Sequence, residues 1–169
     1  INAEDSDITG YEFNFQQDFE FLPSPFDGMF IALNLTWTDG DSTFKFEDNQ
    51  SFTTPFRKLS DKQENFSIGY DKGKFDIRLA MNSRGEYLDW LADEESDIDK
   101  VSLQNSRFVA PHEQWDLKAS YEINDNFRLK FEITNIEDRP EYYYWGYNDR
   151  LSQYDEYGTS YAIGFTYNN

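Results

Sequence analysis

The chain has 169 residues, with 15 basic against 33 acidic side chains (net −18) and no Cys. Its mean hydropathy is −0.84, and no stretch approaches the ~18 consecutive apolar residues of a transmembrane helix, which excludes a helical span. The acidity, with no basic stripe, excludes nucleic acid as a partner. The discordant number is the aromatic content of 19%, made of twelve Tyr, sixteen Phe and four Trp.

Residues 8–22 and 29–46 alternate apolar and polar side chains on either side of Pro23-Ser24-Pro25-Phe26-Asp27-Gly28, whose residue types favour a tight turn. A long polar, acidic connection (47–62) leads to segments 63–72 and 74–91, joined at Lys72-Gly73. A second (92–114) leads to 115–124 and 127–137 around Asn124-Asp125-Asn126, and a third (138–155) leads to 156–168. The clearest alternation sets Phe127, Leu129, Phe131 and Ile133 against Arg128, Lys130, Glu132 and Thr134. A strand sends successive side chains to opposite faces, so one face must lie in oil or in a core and the other in water.

Tight turns at one rim and long loops at the other are the asymmetry of an outer-membrane barrel, with the tight turns periplasmic. The expected fold is therefore all-β, an antiparallel transmembrane β-barrel to which this chain contributes seven strands. Aromatics suit the lipid face and interfacial girdles of such a wall, and the absence of Cys fits a chain that crosses an oxidising compartment. An open seven-stranded sheet in lipid would leave two edges of unpaired N–H and C=O groups, each costing several kcal/mol. More strands are thus expected beyond these, and the start at Ile1, without initiator Met or export signal, fits a piece of a longer polypeptide.

Register follows in the two best-marked hairpins. A three-residue turn at Asn124–Asn126 sets Ile123 opposite Phe127, Glu122 opposite Arg128, Ser120 opposite Lys130 and Lys118 opposite Glu132, while Tyr121 meets Leu129 and Leu117 meets Ile133. Cross-strand charge pairs contribute roughly 0.2–1 kcal/mol each. A one-residue slip would put basic side chains into lipid at about 2–4 kcal/mol each, so burial sets the register. Leu117, Tyr121, Phe127, Leu129, Phe131, Ile133, Ile163 and Phe165 are expected to face lipid. Asp76, Arg78, Asp116, Lys118, Glu122, Arg128, Lys130 and Glu132 are expected to face the lumen. A two-residue Lys72-Gly73 turn sets Asp71 against Lys74 and Tyr70 against Phe75, with Phe66, Ile68, Tyr70, Phe75, Ile77, Leu79 and Met81 outward.

Four segments, in this order, resemble the C-terminal part of the TonB-dependent outer-membrane receptors. They are Thr9-Gly10-Tyr11-Glu12-Phe13-Asn14-Phe15, Phe21-Leu22-Pro23 through Leu35-Thr36-Trp37-Thr38, Ile133-Thr134-Asn135-Ile136-Glu137-Asp138-Arg139, and Gln153-Tyr154-Asp155-Glu156-Tyr157-Gly158-Thr159-Ser160-Tyr161. The resemblance implies a barrel of about 22 strands with a plugged lumen, of which this chain is the last seven. It further implies an integral place in a bacterial outer membrane and TonB-energised uptake of a nutrient, with no cofactor. Implied partners are outer-membrane lipid, the protein's own plug domain and remaining strands, the TonB complex through an N-terminal part outside this chain, and a small-molecule or oligosaccharide ligand. A surface lipoprotein or another outer-membrane subunit is a further partner of that class. The oligosaccharide branch is the nearer likeness, and a siderophore or other metal-chelate receptor is the alternative. The family's last strand usually ends in an aromatic residue, whereas Asn169 stands there in this chain.

The candidate ligand segment is Glu141-Tyr142-Tyr143-Tyr144-Trp145-Gly146-Tyr147-Asn148-Asp149-Arg150. Rings stack on the apolar face of a sugar while amide, carboxylate and guanidinium groups bind its hydroxyls, which singles out Tyr143, Trp145, Tyr147, Asn148, Asp149 and Arg150. The competing reading is an interfacial girdle, and Pro140 interrupts the alternation, so the inward rings are not legible. The acidic run Asp93–Asp99 lacks EF-hand spacing and reads as a solvated loop rather than a Ca²⁺ site. His112 has no second His or Cys to form a metal site and reads as a loop residue. Asn34-Leu35-Thr36 and Asn65-Phe66-Ser67 match a glycosylation sequon but lie inside expected strands. Inward carboxylates, among them Glu12, find no nucleophile or metal, so no catalysis is expected. The rival to a membrane receptor is a soluble carbohydrate-binding β-module, whose apolar faces would pack on each other.

Overall fold

The computed structural model describes residues 5–45, 51–92 and 102–168. Among these, the strands are β1 (Asp5–Asp18), β2 (Met29–Lys45), β3 (Ser51–Pro55), β4 (Lys62–Lys72), β5 (Phe75–Arg84), β6 (Tyr87–Trp90), β7 (Arg107–Val109), β8 (His112–Asn124), β9 (Phe127–Thr134), β10 (Glu141–Trp145), β11 (Leu151–Asp155) and β12 (Ser160–Tyr167). Seven of them form one sheet in the order β1-β2-β4-β5-β8-β9-β12, with β3 folded back on β2. Every pairing is antiparallel. These seven are the segments that alternation marks out, and they form an all-β antiparallel wall.

Directly paired residues share a face, so the register defines both faces. Phe15–Leu33, Leu33–Phe66, Phe66–Met81, Leu79–Leu117, Leu117–Ile133 and Ile133–Tyr161 carry one apolar face across all seven strands. Tyr121, Phe127, Leu129, Phe131, Ile163 and Phe165 lie on that face. The opposite face carries Asp76, Arg78, Asp116, Lys118, Glu122, Arg128, Lys130 and Glu132. Lys118 and Glu132 pair at 2.8 Å, and Arg128 bonds Glu122, as the cross-strand register demands. Among the described residues, neither face has another layer on it. Ile163 and Phe165 are 78% and 72% exposed, a degree of apolar exposure that a water-soluble sheet would cover.

The expected strand 8–22 stops at Asp18, so the β1–β2 connection covers residues 19–28 and ends in a 3-10 turn at Phe26–Gly28 rather than being a tight turn. The other two hairpin turns also differ in detail from expectation. In β8–β9, Glu122 faces Arg128 but Asn124, not Ile123, faces Phe127. Ile123 is the extra residue of a bulge, which leaves a two-residue Asp125-Asn126 turn closed by the Asn124 carboxamide accepting from the Asn126 N–H at 3.0 Å. In β4–β5, Lys72 pairs with Phe75, Tyr70 with Ile77 and Asp71 with Asp76. The turn is thus Gly73-Lys74, because the first central position needs positive φ and Gly73 supplies 64°. The slip is two residues, so the faces are unchanged.

The expected strand 127–137 stops at Thr134 because Asn135 takes a positive φ of 56°. Its buried carboxamide donates to the Arg139 carbonyl (3.1 Å) and accepts from the Arg139 N–H (2.9 Å), while its own carbonyl accepts from the Thr159 hydroxyl (2.9 Å). The Asn135–Arg139 signature is therefore a knot that ties the end of β9 to the start of β12.

The three long connections are not loops but carry strands of their own. The expected strand 74–91 breaks at Gly85-Glu86 into β5 and β6, and the expected loops contain β3, β7, β10 and β11. The expected strand 156–168 begins only at Ser160, and Leu151–Asp155, at the end of the expected loop, form β11. Strands β11-β10-β7-β6 form a second sheet at the end of the wall opposite the tight turns. Its core is Leu88 and Leu91, packed by Phe44, Phe52, Leu103 and Phe108, so all three connections contribute to one cap. The acidic run 93–99 and Asn169 lie outside the described residues.

Candidate functional site

The cap sheet separates the aromatic run by face. Tyr142 and Tyr144 share one side with Phe108, whose ring stacks on Tyr144 at 5.6 Å with 14° between planes. Tyr144 is 5% exposed and its hydroxyl donates to Glu86. Tyr144 packs inside the cap, and the half-buried Tyr142 lies beside it, its hydroxyl donating to the Asn148 carbonyl at 2.8 Å.

Tyr143 and Trp145 point the other way, beside residues that sequence reasoning did not select. Trp145 pairs with Arg107 on β7, and Arg107 with Trp90 on β6. The Arg107 guanidinium lies 5.4 Å from the Tyr143 ring centre and donates through Nε to Asp89 at 2.7 Å. Trp90 and Trp145 meet edge to face at 5.8 Å. Arg84 extends the arrangement, 5.1 Å from the Tyr87 ring and 3.4 Å from Glu141, which accepts from the Tyr143 hydroxyl at 3.1 Å. The result is one surface of indole and phenol rings interleaved with fixed carboxylate and guanidinium groups. Arg–aromatic contacts contribute about 0.5–2 kcal/mol each, more as water is excluded.

Tyr147, Asn148 and Asp149 are exposed at the tip of the β10–β11 hairpin. Gly146 makes the hairpin fit, since its φ is 64° and a Cβ there would fall 2.2 Å from the Gln104 carbonyl. Arg150 is committed elsewhere, its guanidinium donating to the Gln104 carbonyl at 2.9 Å. Of the six residues chosen from sequence, Tyr143 and Trp145 therefore join the ring cluster, three stand at the tip, and Arg150 holds the hairpin down. The missed members Asp89 and Trp90 sit in Tyr87-Leu88-Asp89-Trp90, where Gly85-Glu86 breaks the two-residue period just before it. That break was the available signal.

Burial pushes the Tyr143 phenol up to about 12, helped by its bond to Glu141. Burial and then the bond to Glu86 push Tyr144 up further. A raised phenol pKa contributes stability fully present below the ordinary value near 10 and lost as pH climbs through the folded value. Tyr143→Phe is expected to remove one late step from an alkaline titration followed by phenolate absorbance. A late region left unchanged by the substitution would contradict the packing described.

Below the cap, the polar face of the wall carries a groove of about 450 Å³ lined in part by Lys58, Arg84, Tyr87 and His112. His112 is the first residue of β8, paired with Arg84, and is not in a loop. Comparison with curated proteins and with solved structures returned no match. The sequence model of the family described as "TonB dependent receptor-like, beta-barrel" matches residues 1–136, a span that takes in six of the seven wall strands and cap strands β6 and β7. An antiparallel wall with one unbroken apolar face, tight turns at one end and a cap at the other agrees with that match, and the chain belongs to the TonB-dependent receptor β-barrel family, a family of outer-membrane receptors and transporters rather than enzymes.

Proposed function

We propose that this chain is the C-terminal seven-stranded part of a TonB-energised outer-membrane receptor of about 22 strands that imports an oligosaccharide, with the cap as part of its ligand site. The apolar face lies against lipid and the polar face against the lumen and plug. Strands β1 and β12 each have a single neighbour among the described residues, and in hydrocarbon both edges need partners. The further strands, the plug and the TonB-contacting segment supply what this chain does not.

The observation that carries the sugar reading is the Trp90–Arg107–Trp145 row with Tyr143 and Asp89. A neutral sugar offers few charges, so its affinity comes from rings against C–H faces and from directional hydrogen bonds. In this reading Trp90, 42% exposed, and Trp145 provide the faces. Asp89, Arg107 and the tip residues Asn148 and Asp149 meet the hydroxyls. The net charge of −18 is a poor match for an anionic iron chelate.

In the whole receptor, Trp145→Ala is expected to weaken uptake of the cognate saccharide by about 0.5–1.5 kcal/mol beyond lost area, roughly twofold to tenfold, with barrel assembly unchanged. Measured uptake that stays at the native level, or energised import of an iron chelate in place of a saccharide, would remove the sugar reading.

A further inference from the structure

The polar face of the wall contains one rung made of amides alone. Asn14 pairs with Asn34, Asn34 with Asn65, Asn65 with Asn82, and Asn82 with Gln114, so five neighbouring strands present a carboxamide at the same height. The rungs towards the tight turns are of another kind, with Asp71 facing Asp76 and Arg78 facing Lys118. Two of the amides belong to the sequon-like triplets at Asn34 and Asn65, which glycosylation does not explain inside a strand.

The rung is partly wired and partly free. The Asn34 carboxamide donates to Asn14 at 2.6 Å and to Glu12 at 2.8 Å, and Asn65 donates to Asn34 at 3.3 Å. These bonds fix the orientation of the first three amides. Among the described residues, the Asn65 carboxamide oxygen and both ends of the Asn82 carboxamide have no partner, and both side chains are exposed. Next to the amides, Ala32, Ser67 and Ala80 form a low floor, part of a groove of about 370 Å³. Its far side is Arg78, whose guanidinium lies 5.0 Å from the ring centre of Phe30, itself turned onto the polar face. The Phe30 ring covers Gly69, where a Cβ would fall 2.4 Å from it. Asn65 and Asn82 also line the groove beneath the cap, so the two grooves meet at these two amides.

We infer that this amide rung, with the Phe30–Arg78 pair opposite it, is a second binding site for a neutral, hydroxyl-rich ligand, inward of the cap. The inference rests on the oligosaccharide reading above and deepens it. An amide carries donor and acceptor together and no net charge, which matches a hydroxyl, itself donor and acceptor. Successive amides stand about 4.8 Å apart across the strands, so a ligand with regularly repeated hydroxyls meets a regular row. Small side chains admit it close to the sheet, and the Phe30 ring supplies an apolar face. A charged ligand would find its counter-charges on the rungs nearer the turns instead.

The test uses the whole receptor in detergent and an array of neutral and charged oligosaccharides. The native receptor is expected to retain at least one neutral glycan, and the double variant Asn65→Leu, Asn82→Leu to bind that glycan about tenfold to a hundredfold more weakly, the loss of two or more neutral hydrogen bonds. Trp145→Ala serves as the cap control. Retention of no neutral glycan by native receptor would overturn the sugar reading and this site with it. Native-strength binding by the double variant, beside weakened binding by Trp145→Ala, would overturn the amide site alone. Single Cys replacements at 65 and 82 separate ligand from protein as occupant: the expected result is reaction with a water-soluble thiol reagent that the glycan slows. Complete protection without glycan would mean that a protein segment covers the rung, and would also overturn the proposal.

Discussion

Phe131→Arg in the whole receptor is expected to abolish its accumulation in the outer membrane, while Lys130→Ala, one residue away, leaves it near the native level. Phe131 pairs with Ala119 on one side and Ile163 on the other, at mid-length of β9 on the apolar face. Placing Arg on the lipid face near the bilayer midplane costs about 2–4 kcal/mol, against a total stability of order 5–15 kcal/mol for a folded domain. Lys130 faces Ser120 and Gly164 on the polar side, where loss of a solvated charge costs little. Heat-modifiable mobility of the membrane fraction reads the outcome. Equal accumulation of both variants would mean that the apolar face does not meet lipid, and would favour the soluble β-module.

The same asymmetry explains what could be read from the sequence. Along the wall the environment changes once per residue, from oil to water, so Phe127 to Thr134 could hardly be anything but a strand in that register. Glu122–Arg128 and Lys118–Glu132 followed from the same constraint. Turn detail was less constrained. Moving the turn from Lys72-Gly73 to Gly73-Lys74 shifts the register by two and keeps every face, so only the backbone demand for positive φ distinguishes them. The Ile123 bulge was similarly silent, since it alters the pairing of one residue at the rim.

The cap was nearly illegible because its elements obey a different rule. β7 has three residues and β6 four, too short for a period to emerge. In Tyr142-Tyr143-Tyr144-Trp145 every position is aromatic, so alternation carries no information even though the two faces have different fates. Tyr144 is buried against Phe108, and Tyr143 meets Arg107. What sorts them is contact between β7 and β10, two segments far apart in the chain, and no local pattern encodes that contact. Asp89 and Trp90 were passed over for the same reason, as they acquire meaning only beside Arg107 and Trp145.

Leu88→Ala is expected to open the cap without opening the wall. Leu88 is 1% exposed and packs with Leu91 and the rings of Phe44, Phe52 and Phe108. Truncation of so enclosed a leucine costs about 2–5 kcal/mol, most where the surroundings cannot collapse, and β6 and β7 are too short to hold together by their own ladder. The wall has a separate set of hydrogen bonds, carried by long strands such as β4 and β8, and it does not depend on this core. Amide hydrogen exchange in the whole receptor therefore should show lost protection in β6, β7 and β10, with β4, β5, β8 and β9 unchanged. Because Trp90 and Arg107 sit on those same strands, glycan affinity should fall at least as far as it does in Trp145→Ala. Retained protection in β10 would mean that the cap is anchored from elsewhere, and loss of protection throughout the wall would mean that cap and wall form a single cooperative unit; either result would refute the division of the chain into a lipid-stabilised wall and a separately cored ligand-binding cap.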